Sequence, residues 1–252
     1  MKWLIGAGIV VAAATIGYAW WLGADGGNSE PLVIGERHHR VIPGPREAAP
    51  LLVLLHARGG SPGGLVWPQL EDALAQLGDD APALLLIDGG DHSYFHDRAD
   101  FPWGTHILKE AIPAARRRLR TDPRREAIGG YSMGGFGALD LARQRQFCAV
   151  GGHSPALWQE GGETPEGAFD NAEDFERHDV IEAARRDANL YRGARVWLDA
   201  GVDDSFTPNT VLLGQLVGSP AKTPPGGHTS NYWRDHVDEY MRFYARALKA
   251  CR

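Results

Sequence analysis

The sequence predicts an α/β fold with a mostly parallel central sheet and helices on both faces. Three observations carry that prediction. Two continuous apolar runs of strand length, Leu51–Leu55 and Ala83–Ile87, read as central strands covered on both sides. Segments with apolar residues at helical spacing, 65–77, 105–119, Thr207–Leu216 and 232–248, alternate with the strand-like runs. Residues 126–141 (EAIGGYSMGGFGALDL) read as a strand, a sharp glycine-bounded turn and a helix.

Length and composition bound the rest. The chain has 252 residues, 43% of them hydrophobic, enough for one substantial core, so residues 31–252 are expected to form one domain. A net charge of -6 argues against nucleic acid as a partner. Residues 3–24 carry no charge and are apolar or small throughout, which reads as an export segment and places the protein outside the cytoplasm. It serves either as a signal peptide, with small residues Gly17 and Ala19 at a cleavage spacing, or as a membrane anchor ending in Trp20 and Trp21. Residues 25–30 (DGGNSE) read as a linker.

Taken in order, 37–42 is an early edge strand stopped by Pro43-Gly44-Pro45, with His38 and His39 solvated. The run Leu51–Leu55 leads into His56-Ala57-Arg58-Gly59-Gly60, and Ala83–Ile87 into the polar and aromatic loop 91–103. Loops beyond the carboxyl ends of strands are where open α/β sheets bind ligands, so Tyr94, Phe95 and Trp103 are expected near the substrate. His92 and His96 are four apart but lack a metal-binding context and read as loop hydrogen-bonding groups. The helix 105–119 should kink at Pro113, and the arginines between 116 and 125 read as a solvated helix end. A strand at 147–151 leads into His153-Ser154-Pro155-Ala156-Leu157-Trp158. Residues 159–174 are too short and polar to bury a core and read as a small lid. A strand at 195–200 precedes Asp203 and Asp204, and the loop 224–228 ends in His228, with only a faint strand signal in 218–225. Cys148 and Cys251 read as a buried thiol and a tail thiol rather than a bridge, and no zinc or redox spacing is present.

The chemistry concentrates at Gly130-Tyr131-Ser132-Met133-Gly134. A serine on such a turn is exposed and strained, glycines on either side avoid collision with strand and helix, and the following helix aims free N–H groups at it. Two similar patterns, around Ser61 and Ser154, place a proline directly after the serine and so remove the N–H that would stabilise an oxyanion. Ser132 is therefore read as a nucleophile.

The segment 130–139 (GYSMGGFGAL) resembles the nucleophile segment of the esterase D type of α/β-hydrolases, the group of S-formylglutathione hydrolases, feruloyl esterases and mycolyltransferases. The resemblance extends loosely from Leu51 to the C-terminus. It implies an α/β-hydrolase fold with a serine nucleophile, no cofactor and no metal, and a small-molecule ester or thioester substrate, a lipid or sugar ester among them. It also implies an oxyanion hole from the N–H groups of Met133 and Arg58, although Ala57 stands where the family has glycine. The family pattern matches Asp204, over its neighbour Asp203, as the acid, and His228, over His236 within a helix, as the general base. Trp158 and its neighbours correspond to the acyl pocket, and Tyr131, Trp103 and Tyr94 join it as expected substrate contacts. Three functions are compatible with these residues: a serine carboxylesterase, a cell-envelope acyltransferase using the same three groups, and a catalytically silent envelope-binding protein.

Overall fold

The computed structural model describes residues 28–251, so the export segment and the first half of the linker, 25–27, lie outside the described residues. Among the described residues no helix is long and apolar enough to cross a membrane. A seven-stranded sheet forms from β1 (Glu30–Ile34), β2 (Arg37–Ile42), β3 (Leu51–Leu55), β4 (Ala83–Ile87), β5 (Glu126–Tyr131), β6 (Ala149–His153) and β7 (Arg195–Asp199), in the order β1-β2-β4-β3-β5-β6-β7. Strands β4, β3, β5, β6 and β7 are parallel, while β1 and β2 add antiparallel at one edge.

Alternation along β3 feeds two cores. Leu51, Val53 and Leu55 pack on one face with Ile107, Ile112, Phe136 and Leu139; Leu52 and Leu54 pack on the other with Trp67, Leu70, Tyr240 and Tyr244. The second core is closed by helices α1 (Pro68–Leu77) and, later in the chain, the 21-residue Ser230–Ala250. The first is covered by α2 (Trp103–His106), α3 (Ile112–Leu119) and α4 (Met133–Leu141). The expected kink at Pro113 takes the form of a π-turn, Ile107–Ala111, between α2 and α3. Proline lacks an N–H and its ring crowds the carbonyl four residues earlier, and the wider turn relieves both.

Among the described residues the remaining α-helices are α5 (Ala172–His178), α6 (Val180–Arg186), α7 (Thr207–Leu216) and α8 (Ser230–Ala250). Residues 159–178 form the lid segment, with α5 as its only α-helix among the described residues.

Several expectations are corrected. The strand 37–42 is not the edge: Glu30, assigned to the linker, opens β1, which pairs outside it. His39 is buried, because its ring packs against His106 of α2, with Nε2 3.0 Å from that ring's Nε2, and its Nδ1 accepts the Asp88 N–H at 3.0 Å. The faint strand before His228 shrinks to one parallel bridge between Asp199 and Lys222. Cys148 and Cys251 form a disulfide, 103 residues apart in sequence, which ties the end of α8 to the entry of β6. Packing of α8 across the sheet brings the penultimate residue to Cys148, which local sequence does not reveal.

Candidate active site

Strand β5 delivers Ser132 to the carboxyl end of the sheet in a left-handed conformation, φ 54°, which costs a non-glycine residue strain. The turn is clamped by three backbone bonds: Ser132 N–H donates to His153 O, and Ala156 and Phe136 N–H donate to Ser132 O, each at 3.0 Å. The flanking glycines are required by contact. A Cβ on Gly130 would lie 2.4 Å from the Gly134 carbonyl, and one on Gly134 2.2 Å from the Leu55 oxygen. Close passage of α4 over β3 therefore excludes side chains on both sides of the serine.

Two further loops converge there. His228 Nε2 lies 2.8 Å from Ser132 Oγ, and its Nδ1 lies 2.8 Å from Asp204 Oδ2. The loop after β7 and the loop before α8 are held together by bonds from Val202 N–H to Pro224 O (2.8 Å) and from Asp203 N–H to Gly226 O (2.9 Å). Asp204 is buried, and its other oxygen accepts the Phe206 N–H at 2.9 Å. Burial pushes its carboxyl up, but the hydrogen bonds from His228 and the Phe206 N–H outweigh that and hold it below the ordinary range. Asp203 is exposed. His236 bonds back to the Tyr232 carbonyl of its own helix at 2.8 Å.

With Asp204 ionised, Nδ1–H of His228 donates to it, leaving Nε2 as an acceptor for the Ser132 hydroxyl. That is the arrangement a general base needs. Met133 opens α4, so its N–H is among those without a partner inside the helix. Arg58 sits in the loop after β3 beside Gly59 and Gly60, whose N–H groups are bonded to Asp91 O and Ala57 O.

The expected substrate contacts separate. Tyr131 is buried and lines a cavity of about 230 Å³ together with Arg58, Trp67 and Trp233. Trp158 packs on Phe206, whose ring lies 5.1 Å from that of His228, and Tyr94 packs on Trp158. Phe95 is wholly buried beneath α4, against Gly137. Trp103 goes elsewhere: it is buried against Gly90 under the Arg37 guanidinium, 4.0 Å from its ring centre, and does not line the cavity. A larger cavity of about 560 Å³ lies within the lid and is lined by residues between Gln159 and Asp179.

A second buried network stands behind the first. Asp199, at the end of β7, accepts bonds from His153 Nδ1 (2.8 Å), Trp197 Nε1 (2.7 Å), Tyr232 OH (2.8 Å) and Tyr240 OH (2.7 Å). Burial raises this carboxyl too, and again the bonds from His153 and the tyrosines carry it below its usual value. Tyr244 OH lies 3.0 Å from His153 Nε2, in a slot that a Cβ on Gly129 or Gly151 would fill. The network joins β5, β6 and β7 to α8, and so fixes the loop carrying His228 against the strand carrying Ser132. Sequence reasoning missed it. Tyrosines at 232, 240 and 244, on one face of a helix, were the available signal.

Among the described residues, His96, Asp174 and His178 place donor atoms within 4.8 Å of one another, as a metal would require. One nitrogen of each histidine and the carboxylate are already engaged, while among the described residues His96 Nδ1 has no partner and His178 Nε2 lies 3.8 Å from Asp174. His96 Nε2 donates to Asp174 at 3.1 Å, Arg177 donates to the same carboxylate at 3.1 Å, and His178 donates to Asp140 of α4 at 2.8 Å. Two arginines, Arg98 and Arg177, within 4.0 Å of Asp174 also oppose a cation. The set works as a latch between lid and body.

The family described as "Putative esterase" has a model that matches residues 46–244. The chain is similar in structure to a ferulic acid esterase, with a TM-score of 0.73 and 20% identity over 87% of this chain and 96% of that one. It is also similar to MPT51 (FbpC1) of Mycobacterium tuberculosis, with a TM-score of 0.70 and 18% identity over 88% and 100%. An S-formylglutathione hydrolase from Agrobacterium tumefaciens gives a TM-score of 0.67 and 18% identity over 87% and 94%. The sequence matches none of the curated proteins compared with it. At these identities the structural likenesses speak for the fold.

Proposed function

Because the chain belongs to the Esterase family, we propose that it is a serine carboxylesterase that hydrolyses an ester or thioester through an acyl-enzyme on Ser132. The observation that carries this reading is the hydrogen-bonded chain from Ser132 Oγ through His228 to Asp204, at 2.8 Å for each step. Ser132 Oγ attacks the carbonyl as His228 Nε2 takes its proton, and the N–H groups of Met133 and Arg58 hold the oxyanion. The tetrahedral intermediate collapses as His228 returns the proton to the leaving alcohol or thiol. Water, deprotonated by His228, then attacks the acyl-enzyme and releases the acid. Asp204 keeps the imidazole in the required tautomer and stabilises its charged form; it need not take the proton.

The reading extends to location. The disulfide between Cys148 and Cys251 suits an oxidising compartment and so supports an extracytoplasmic protein. The test of the activity is hydrolysis of p-nitrophenyl esters from acetate to palmitate, with recovery of the free acid. Turnover that is lost in Ser132→Ala, with the fold retained, supports the proposal; turnover that survives in that variant overturns it.

A further inference from the structure

The cavity beside the Ser132–His228 pair has a composition that its chain does not. It is bounded by the loop after β3, by Tyr131 immediately before Ser132, and by the first turn of α8, where Trp233 stacks edge-on against His228 at 5.3 Å. Among the described residues no aspartate or glutamate lines it, on a chain with a net charge of -6. Two arginines do, the exposed Arg58 and the half-buried Arg234, and among the described residues neither pairs with a carboxylate.

Arg234 is half-buried, with its guanidinium carbon 5.4 Å from the Trp67 ring centre, and among the described residues its Nε is buried without a partner. Trp233 is 7% exposed, lines the cavity, and among the described residues its indole N–H is also buried without a partner. The cavity reaches Ser230, the first residue of a helix 21 residues long, whose N-terminus carries partial positive charge. A neutral acyl chain placed there would leave the indole and guanidinium donors unsatisfied, at a cost in binding. An anion satisfies them together.

We infer that this cavity takes a carboxylate borne by the ester substrate, held by Arg234 and Arg58 with the Trp233 N–H, so that the enzyme prefers acidic esters. The inference rests on the reading of Ser132 as the nucleophile. A volume of about 230 Å³ admits a short carboxylated arm rather than a long chain.

The test compares kcat/KM within two substrate pairs, one carrying the charge on the acyl side and one on the alcohol side. The first is p-nitrophenyl hemiglutarate against p-nitrophenyl valerate. The second is 3-acetoxybenzoate against its methyl ester. The anionic member of at least one pair should be preferred by about tenfold or more at low salt, as a charge-assisted bond predicts. That preference should fall about tenfold in Arg234→Gln and be partly kept in Arg234→Lys, with Arg58→Gln, which retains its backbone N–H, as a second variant. Equal or faster hydrolysis of the neutral member in both pairs, or a preference that survives both glutamine variants, overturns the inference. If a fluorophosphonate labels the protein but all four esters resist, glutarate should slow the labelling in wild type more than in Arg234→Gln; absence of that protection also overturns it. Folded protein that neither hydrolyses an ester nor takes the label refutes the nucleophile reading itself, and this inference with it.

Discussion

Replacing Asp204 with asparagine separates two neighbouring carboxylates that only a family pattern distinguishes in the sequence. In the wild type both Asp204 oxygens are engaged, one with His228 Nδ1 and one with the Phe206 N–H, and the side chain is buried. Asparagine is nearly isosteric and can keep the bond to Phe206, so the fold should persist. Its amide nitrogen, however, turns toward Nδ1 and favours the tautomer with a proton on Nε2. That nitrogen then faces Ser132 with nothing to accept a proton. A loss of roughly 10⁴ in kcat, equal to about 5 kcal/mol of transition-state stabilisation, is expected from the removal of such an orienting carboxylate. Asp203 is exposed, and Asp203→Asn should change the rate by about twofold at most, as surface substitutions do. The assay is kcat/KM for p-nitrophenyl acetate, with circular dichroism to verify folding. A larger loss in Asp203→Asn, or an Asp204→Asn rate within tenfold of wild type, would refute the reasoning.

Three other outcomes follow from the packing. Cys251→Ser, or reduction of the wild type, should remove about 2–4 kcal/mol of stability and lower Tm by roughly 5–15 °C, since the bridge closes a loop of 103 residues; an unchanged melting curve under reductant would argue against the pairing. Tyr244→Phe leaves His153 Nε2 buried without its donor and should cost about 1–3 kcal/mol, measured by urea unfolding, whereas a cost near zero would show that the hydroxyl holds nothing. His39 is buried beside His106, and its pKa is lowered from 6.5 to about 4, first by burial and then by that neighbour. The unfolded chain therefore takes up a proton before the folded one. Stability should decline by about 3 kcal/mol as pH falls from 6.5 toward 4, and His39→Gln should flatten that slope; identical slopes in the two proteins would remove His39 from the account.

The sequence made the nucleophile turn legible because its glycines answer to contacts that admit no side chain: α4 lies directly on the Leu55 carbonyl. The sheet was legible in β3 and β4, where burial on both faces leaves an unbroken apolar run. Strand β1 was not, because an outer strand with alternate residues toward solvent looks like an extension of the linker before it. The bridge between Cys148 and Cys251 depends on where a 21-residue helix comes to rest, which no local pattern encodes. Asp199 and His153 escaped for the same reason, since their tyrosine partners arrive from α8. Asp204 over Asp203 was drawn from a family pattern, and the structure supplies its physical counterpart: one carboxylate points to His228 and the other lies at the surface.

The most direct measurement is mass spectrometry of the protein after treatment with a fluorophosphonate, followed by peptide mapping. The account predicts a single adduct on Ser132, formed at a rate that collapses in His228→Ala, because only that serine has a base within 2.8 Å of its hydroxyl among the described residues. An adduct on Ser61 or Ser154 instead, or none on folded protein, would contradict it.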